Sequence, residues 1–155
     1  MGIYQLLILS IIFYGPWEPI GPEGGDFSLV LQSTQDSSVL YGYSFGIPSS
    51  IYESTDEGST WSFISNVPVG TVPADMVMTA SGDFVIFGNA ETYNSSNGGI
   101  TWTTNPCPDV IFTDGIAHPT DGTRVFASGY TLGGGTTNMV FLSSNDGGFN
   151  WDITA

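Results

Sequence analysis

The chain of 155 residues carries 15 acidic side chains against one basic residue, Arg124, for a formal net charge of −14. Charge of that sign and size repels phosphate backbones and anionic membranes, which argues against nucleic acid as a partner and suits an extracellular or high-salt protein. A hydrophobic share of 41% rules out a disordered chain, and 21 Gly with 9 Pro and no extended helical period point to short strands and tight turns.

Residues 3–13, Ile-Tyr-Gln-Leu-Leu-Ile-Leu-Ser-Ile-Ile-Phe, form the most apolar stretch. Too short to span a bilayer, they match the apolar region of a secretory signal, so residues 1–15 read as an export signal. No Lys or Arg precedes them, and Tyr14-Gly15-Pro16 offers no small-x-small cleavage site, which leaves an N-terminal strand as the alternative. Trp17-Glu18-Pro19-Ile20 then resembles the opening of a strand that closes a repeat unit.

Three units follow, at approximately 22–66, 70–105 and 109–155. Each opens on an apolar run: Phe27 to Leu31, Met76 to Met78, and Val110 to Phe112 with Ile116 beyond. A polar turn comes next (33–36, 80–83, 119–122), then a second strand at Val39–Tyr41, Phe84–Phe87 and Val125–Ala127. A third strand (Ile51–Glu53, Glu91–Asn94, Met139–Leu142) leads into an octad that recurs in all three. The copies are Ser54-Thr55-Asp56-Glu57-Gly58-Ser59-Thr60-Trp61, Ser95-Ser96-Asn97-Gly98-Gly99-Ile100-Thr101-Trp102, and Ser144-Asn145-Asp146-Gly147-Gly148-Phe149-Asn150-Trp151. The four tryptophans, Trp17 included, follow one another at intervals of 44, 41 and 49 residues, and each opens a fourth strand. Four short strands per repeat of about 40–50 residues is the size of a β-propeller blade. The expected fold is therefore all-β: about three four-stranded antiparallel blades of an incomplete ring, over residues 16–155. Closure takes about four to eight blades. The remaining blades are expected from a longer chain, of which this is a fragment, or from self-association of copies.

The octad Ser-x-Asp-x-Gly-x-Thr-Trp resembles the Asp-box, or bacterial neuraminidase repeat, found in sialidases, sortilin-type receptors, xyloglucan-cleaving glycosidases and photosystem assembly factors. Asn97 replaces Asp in the second copy, and Asn150 replaces Thr in the third. The residues have a physical reason of their own. A short carboxylate or amide accepts backbone N–H groups across a turn. Gly58, Gly99 and Gly148 would supply positive φ, and each Trp would bury its ring between neighbouring blades. The structural set is thus Ser54, Asp56, Gly58, Thr60 and Trp61; Ser95, Asn97, Gly99, Thr101 and Trp102; and Ser144, Asp146, Gly148 and Trp151.

No catalytic, cofactor or metal site is expected from the sequence. The resemblance implies, for a sialidase, a cluster of three arginines on the substrate carboxylate, and one Arg cannot supply it. A glycosidase with two carboxylates is the alternative, with Asp26 after Glu23-Gly24-Gly25 as its most suggestive acid and the partner acid not placeable. His118 lies where a strand ends in a turn, with no second His or Cys at ligand spacing. Cys107, in Asn105-Pro106-Cys107-Pro108, reads as a loop cysteine without chemistry. Gly133-Gly134-Gly135 lacks the Lys-Ser/Thr of a phosphate loop and reads as a hairpin tip. Asn94-Ser95-Ser96 fits the glycosylation pattern. The expected function is that of a secreted or surface-exposed module that binds or scaffolds a protein or glycan ligand, without membrane insertion of the mature domain. Tyr43 to Ser49 and Tyr130 to Asn138 are the candidate contact loops.

Overall fold

A computed structural model describes residues 27–46, 48–68, 72–133 and 136–154. The apolar residues 3–13, Trp17, Glu23 to Asp26 and Gly134-Gly135 lie outside them. Among the described residues there are eleven strands and no helix.

The first sheet takes β1 (Leu29–Gln32), β2 (Leu40–Ser44), β3 (Ser49–Ser54) and β4 (Ser62–Val67) in that order, every pair antiparallel. This is the meander expected when each strand is joined to the next by a short polar turn. The second unit repeats it with β5 (Asp75–Met78), β6 (Phe84–Phe87), β7 (Asn89–Ser95) and the first part of β8 (Thr103–Ala117). The third uses the rest of β8, then β9 (Val125–Gly133), β10 (Thr136–Ser144) and β11 (Asp152–Thr154).

The second and third units are not separate sheets. Thr103–Pro106 pair with β7 and Val110–Ala117 pair with β9, so one strand of 15 residues closes one unit and opens the next. Pro106 and Pro108, which flank the cysteine expected in a loop, sit at this crossover, where the register to β7 shifts and Asp109 takes a φ of 69°. Such irregular pairing tolerates residues that lack an N–H.

Register makes the three units superposable. Leu40, Phe84 and Val125 each stand opposite the octad serine of their own unit, Ser54, Ser95 and Ser144. Counting from there, Tyr41, Val85 and Phe126 point to one face, and so do Tyr43, Phe87 and Ser128, because strand side chains alternate. That face, called outer here, meets the opposite, inner face of the following unit. Tyr43 and Ile51 of the first unit pack with Met76, Met78, Phe84, Ile86 and Tyr93 of the second, and Tyr41 meets Phe84 edge to face at 4.7 Å. Val85 and Phe87 of the second pack with Val110, Phe112, Val125, Ala127 and Leu142 of the third. The core is therefore two inter-unit layers, stacked along the chain.

Candidate functional site

Each octad folds into a turn whose side chains bond mainly to the turn itself. The serine Oγ accepts the backbone N–H of Gly58, Gly99 or Gly148 at 2.8, 2.9 and 2.8 Å. It donates in turn to Asp56, Asn97 or Asp146 Oδ1 at 2.8, 3.0 and 2.8 Å. That same oxygen accepts the N–H of Thr60, Thr101 or Asn150 at 2.7, 3.0 and 2.9 Å. The replaced residues keep the link, and its direction is reversed only where Asn97 stands in place of the acid. Thr60 Oγ1 donates to Asp56 Oδ2, whereas Asn97 Nδ2 donates to Thr101 Oγ1, and Asn150 Nδ2 donates to Asp146 Oδ2. Gly58, Gly99 and Gly148 hold φ of 90°, 84° and 92°, so a Cβ would be strained there. The position before them is left-handed as well; Gly98 and Gly147 fill it in two units and Glu57 in the first, with φ of 58°.

These bonds stabilise the ionised acids. The Thr60 N–H and hydroxyl, with Ser54, hold the Asp56 carboxyl below the usual range. Burial alone would raise Asp146, but its hydrogen bonds from Asn150, Ser144 and Phe149 outweigh that and hold it low.

The half-buried tryptophans reveal a link between units that is invisible within an octad. Trp102 Nε1 donates to Ser65 Oγ of the preceding unit at 3.1 Å, and Ser65 Oγ donates to the Gly99 carbonyl. Trp151 Nε1 reaches Thr92 Oγ1 of the preceding unit at 3.5 Å, and Thr92 Oγ1 donates to the Gly148 carbonyl at 3.1 Å. Trp61 bonds its own Gly58 carbonyl directly, at 3.1 Å. Asn94 adds a second clasp, with its Nδ2 on the Gly147 carbonyl at 2.7 Å.

Several residues take places other than those expected. Tyr43 is a fully buried core side chain on β2 rather than a loop contact, and Ser49 is buried at the start of β3. Of the stretch from Tyr130 to Asn138, the described residues belong to β9 and β10, paired down to Gly133 opposite Thr136. Cys107 lies within β8, packed against the second core layer, and burial pushes its thiol up, away from the reactive thiolate. Asn94 is 2% exposed and engaged at both ends of its amide, so the folded unit offers no glycan acceptor there. His118 is the turn residue expected: its Nδ1 accepts the N–H of Thr120 and of Asp121. Arg124 spreads over the Phe126 ring at 5.3 Å.

One acidic pair was not legible in the sequence. Asp75 and Asp114 occupy equivalent positions on the first strands of the second and third units, opposite Phe87 and Ser128. The Gly115 N–H lies 3.2 Å from Asp75 Oδ2 and 2.9 Å from Asp114 Oδ1. Burial raises the Asp75 carboxyl above its usual range; the N–H groups of Met76 and Gly115 oppose this, and the neighbouring Asp114 adds to it. Beside Asp114 runs an open groove of about 420 Å³, lined further by Ile116, Phe126, Ser128 and Phe141.

No family model matches the sequence, and no curated protein matches it. Solved structures do match. The fold is similar to the GH74 enzyme of Niastella koreensis, at 19% identity and a TM-score of 0.58, over 81% of this chain and 17% of that one. An ancestral GH74 enzyme matches at 16% identity and 0.61, over 84% and 20%. The α-L-arabinanase of Penicillium chrysogenum, solved with arabinobiose, matches at 17% and 0.53, over 75% and 45%. This chain spans less than half of each of those molecules. At such identities the likeness bears on architecture, and on that it agrees with the two sheets: the chain is a run of antiparallel β-propeller blades short of a full ring.

Proposed function

We propose that the chain is a secreted or surface-exposed module whose octads are Asp-box turns and whose work is binding or scaffolding, with a glycan or a protein as ligand. The observation that carries this reading is the engagement of the octad side chains. The recurring octad residues Ser54, Asp56, Ser95, Asn97, Ser144, Asp146 and Asn150 have side chains bonded within their own turns, which leaves ligand contacts to the surfaces between them. The acidity favours neutral or basic ligands over anionic ones.

A second reading, part of a propeller glycoside hydrolase, is favoured by the Asp75–Asp114 pair beside an open groove and by the likeness to GH74 and arabinan-cleaving enzymes. A carboxyl whose pKa burial raises, with a second carboxyl beside it, is the raw material of general acid catalysis. Titration calorimetry with xyloglucan and arabinan oligosaccharides, run beside a reducing-end assay on the same substrates, separates the two. Binding without bond cleavage supports the module. Cleavage that disappears in Asp75→Asn and Asp114→Asn supports the hydrolase. Neither binding nor cleavage turns the search to protein ligands.

A further inference from the structure

Asn97-Gly98 is the single Asn-Gly step in the chain, and it lies at the acid position of the second octad. Asparagine is a thermolabile residue, and its breakdown begins when the next backbone nitrogen attacks the side-chain amide carbon. Glycine in that next position favours the attack, because no Cβ crowds the nitrogen. Every other asparagine here precedes a residue with a side chain.

The turn presents this step to solvent. Asn97 and Gly98 are exposed, and a Cβ built at Gly98 would meet nothing within 4 Å. The attacking nitrogen is unengaged as well. In the first octad the Glu57 N–H donates to the Ser38 carbonyl, and in the third the Gly147 N–H donates to the Thr123 carbonyl. Among the described residues the Gly98 N–H makes no such bond. What restrains the reaction is the grip on the amide. Asn97 Oδ1 accepts Ser95 Oγ and Thr101 N at 3.0 Å each, and Nδ2 donates to Thr101 Oγ1 at 2.8 Å. The Thr101 hydroxyl thus holds the group that must leave.

We propose that Asn97 is a self-modification site, at which the folded turn deamidates itself and the Thr101 hydroxyl sets the pace. Hydroxide takes the Gly98 N–H proton, and the nitrogen forms a bond to Asn97 Cγ. The Cγ–Nδ2 bond breaks, ammonia leaves with a proton from water, and a cyclic imide remains. Water then opens the imide, so the net change is water in and ammonia out. Opening at Cγ gives aspartate; opening at the main-chain carbonyl gives isoaspartate, which reroutes the backbone through Cγ. The octad is already built for the first product. Asp56 and Asp146 occupy this place in the other units, and rotation of the Thr101 hydroxyl reproduces the bond that Thr60 Oγ1 makes to Asp56 Oδ2. Deamidation therefore gives the second octad the acid that the other two carry from synthesis.

The test incubates the folded 155-residue chain at mildly alkaline pH and follows the peptide that chymotrypsin releases between Tyr93 and Trp102. Mass spectrometry should show the amide-to-acid change at Asn97, while Asn94 in the same peptide, buried and bonded at both ends of its amide, stays intact. The rate should rise in proportion to hydroxide. Gly98→Ala should slow it about tenfold by crowding the nitrogen, and Glu57 shows that a side chain fits that backbone position. Thr101→Ala keeps the N–H and removes the hydroxyl, and should speed conversion several-fold; Thr101→Ser keeps both and should match wild type. Near-ultraviolet circular dichroism checks that each variant stays folded. An Asn97 that stays intact in the folded chain while a free peptide of residues 94–102 converts, a rate indifferent to Gly98→Ala, or equal rates in Thr101→Ala and wild type would overturn the proposal.

Discussion

The Ser65 hydroxyl accepts the Trp102 indole N–H at 3.1 Å across the boundary between the first two units. Because the same hydroxyl donates to the Gly99 carbonyl, one atom joins a closing strand, a tryptophan and a turn. Ser65→Ala leaves a donor and an acceptor without their partner and should cost about 1–2 kcal/mol in a urea melt. Ser65→Thr should recover most of it. In a double-mutant cycle with Trp102→Phe, the two losses should fall short of additivity, since both remove the same bond. Additive losses would place the bridge outside the folding energetics.

The octad acids predict an uneven response to acid. Asp146 accepts four hydrogen bonds, from Ser144 Oγ and from Phe149 N, Asn150 N and Asn150 Nδ2. Its folded pKa is held low, so its stabilisation is complete above the usual carboxylate range and is lost as pH falls through the depressed value, below about 4. Asp146→Asn sets one amide donor against another and should lower Tm by about 3–6 °C at pH 7. The gap to wild type should close as pH falls through the depressed value, where the native acid is protonated too. Asn97 carries no titrating proton, so Asn97→Asp should add acid sensitivity to the second octad. A gap for Asp146→Asn that is independent of pH would contradict the assignment.

Glu57 holds a left-handed backbone, φ 58°, at a position filled by Gly98 and Gly147 in the other octads. A side chain costs about 1–2 kcal/mol in that region, partly offset by the extra unfolded-state freedom of glycine. Glu57→Gly should therefore raise Tm by about 2–4 °C, and it also removes one charge from a strongly acidic chain. Glu57→Ala, matched in charge, should not. Differential scanning calorimetry of the three proteins decides.

Gly115 sits under the Phe87 ring, and a Cβ built there would lie 2.1 Å from a ring carbon. Gly115→Ala should cost about 3 kcal/mol through overpacking between the second and third units. Phe87→Leu in the same chain should recover part of that, because the clash is with a ring and not with backbone. Chemical denaturation of the single and double variants checks both signs.

Asp75 runs opposite to Asp146. Its carboxyl is raised by burial, so the folded protein is stabilised as pH falls from that raised value toward the ordinary one, and it carries an unfavourable charge at neutral pH. Asn can keep the bond from the Met76 N–H through its oxygen and offer its amide toward Asp114. Asp75→Asn should raise Tm by about 2 °C at pH 7, with no advantage left near pH 4. A destabilised variant at pH 7 would mean that both carboxylate oxygens matter more than the charge.

The architecture was legible because its signals are local. Ser, Asp or Asn, Gly and Trp at fixed offsets act on backbone within four residues, so the turns and the four-strand order could be read directly. What escaped depends on partners far along the chain. Ser65 and Thr92 are unremarkable hydroxyls until Trp102 and Trp151, 37 and 59 residues on, are brought to them. Asp75 and Asp114 meet only because the first strands of successive units lie side by side. Tyr43 looked like a loop residue beside Gly42, yet on a strand Tyr43 faces the core while Gly42 leaves room for the Phe27 ring. Cys107 between Pro106 and Pro108 read as a loop residue, and the strand runs through all three because a bulged crossover needs no N–H at the prolines.

That unbroken run from Thr103 to Ala117 ties the fates of two repeats together. A peptide bond cut near Asp109 would detach the last strand of one from the first of the next, so a single nick would harm both. The first repeat hydrogen-bonds in a ladder of its own, and heat or force can peel it away while the other two are still joined. Partial unfolding of this protein is therefore expected in steps of one and two rather than one, one and one.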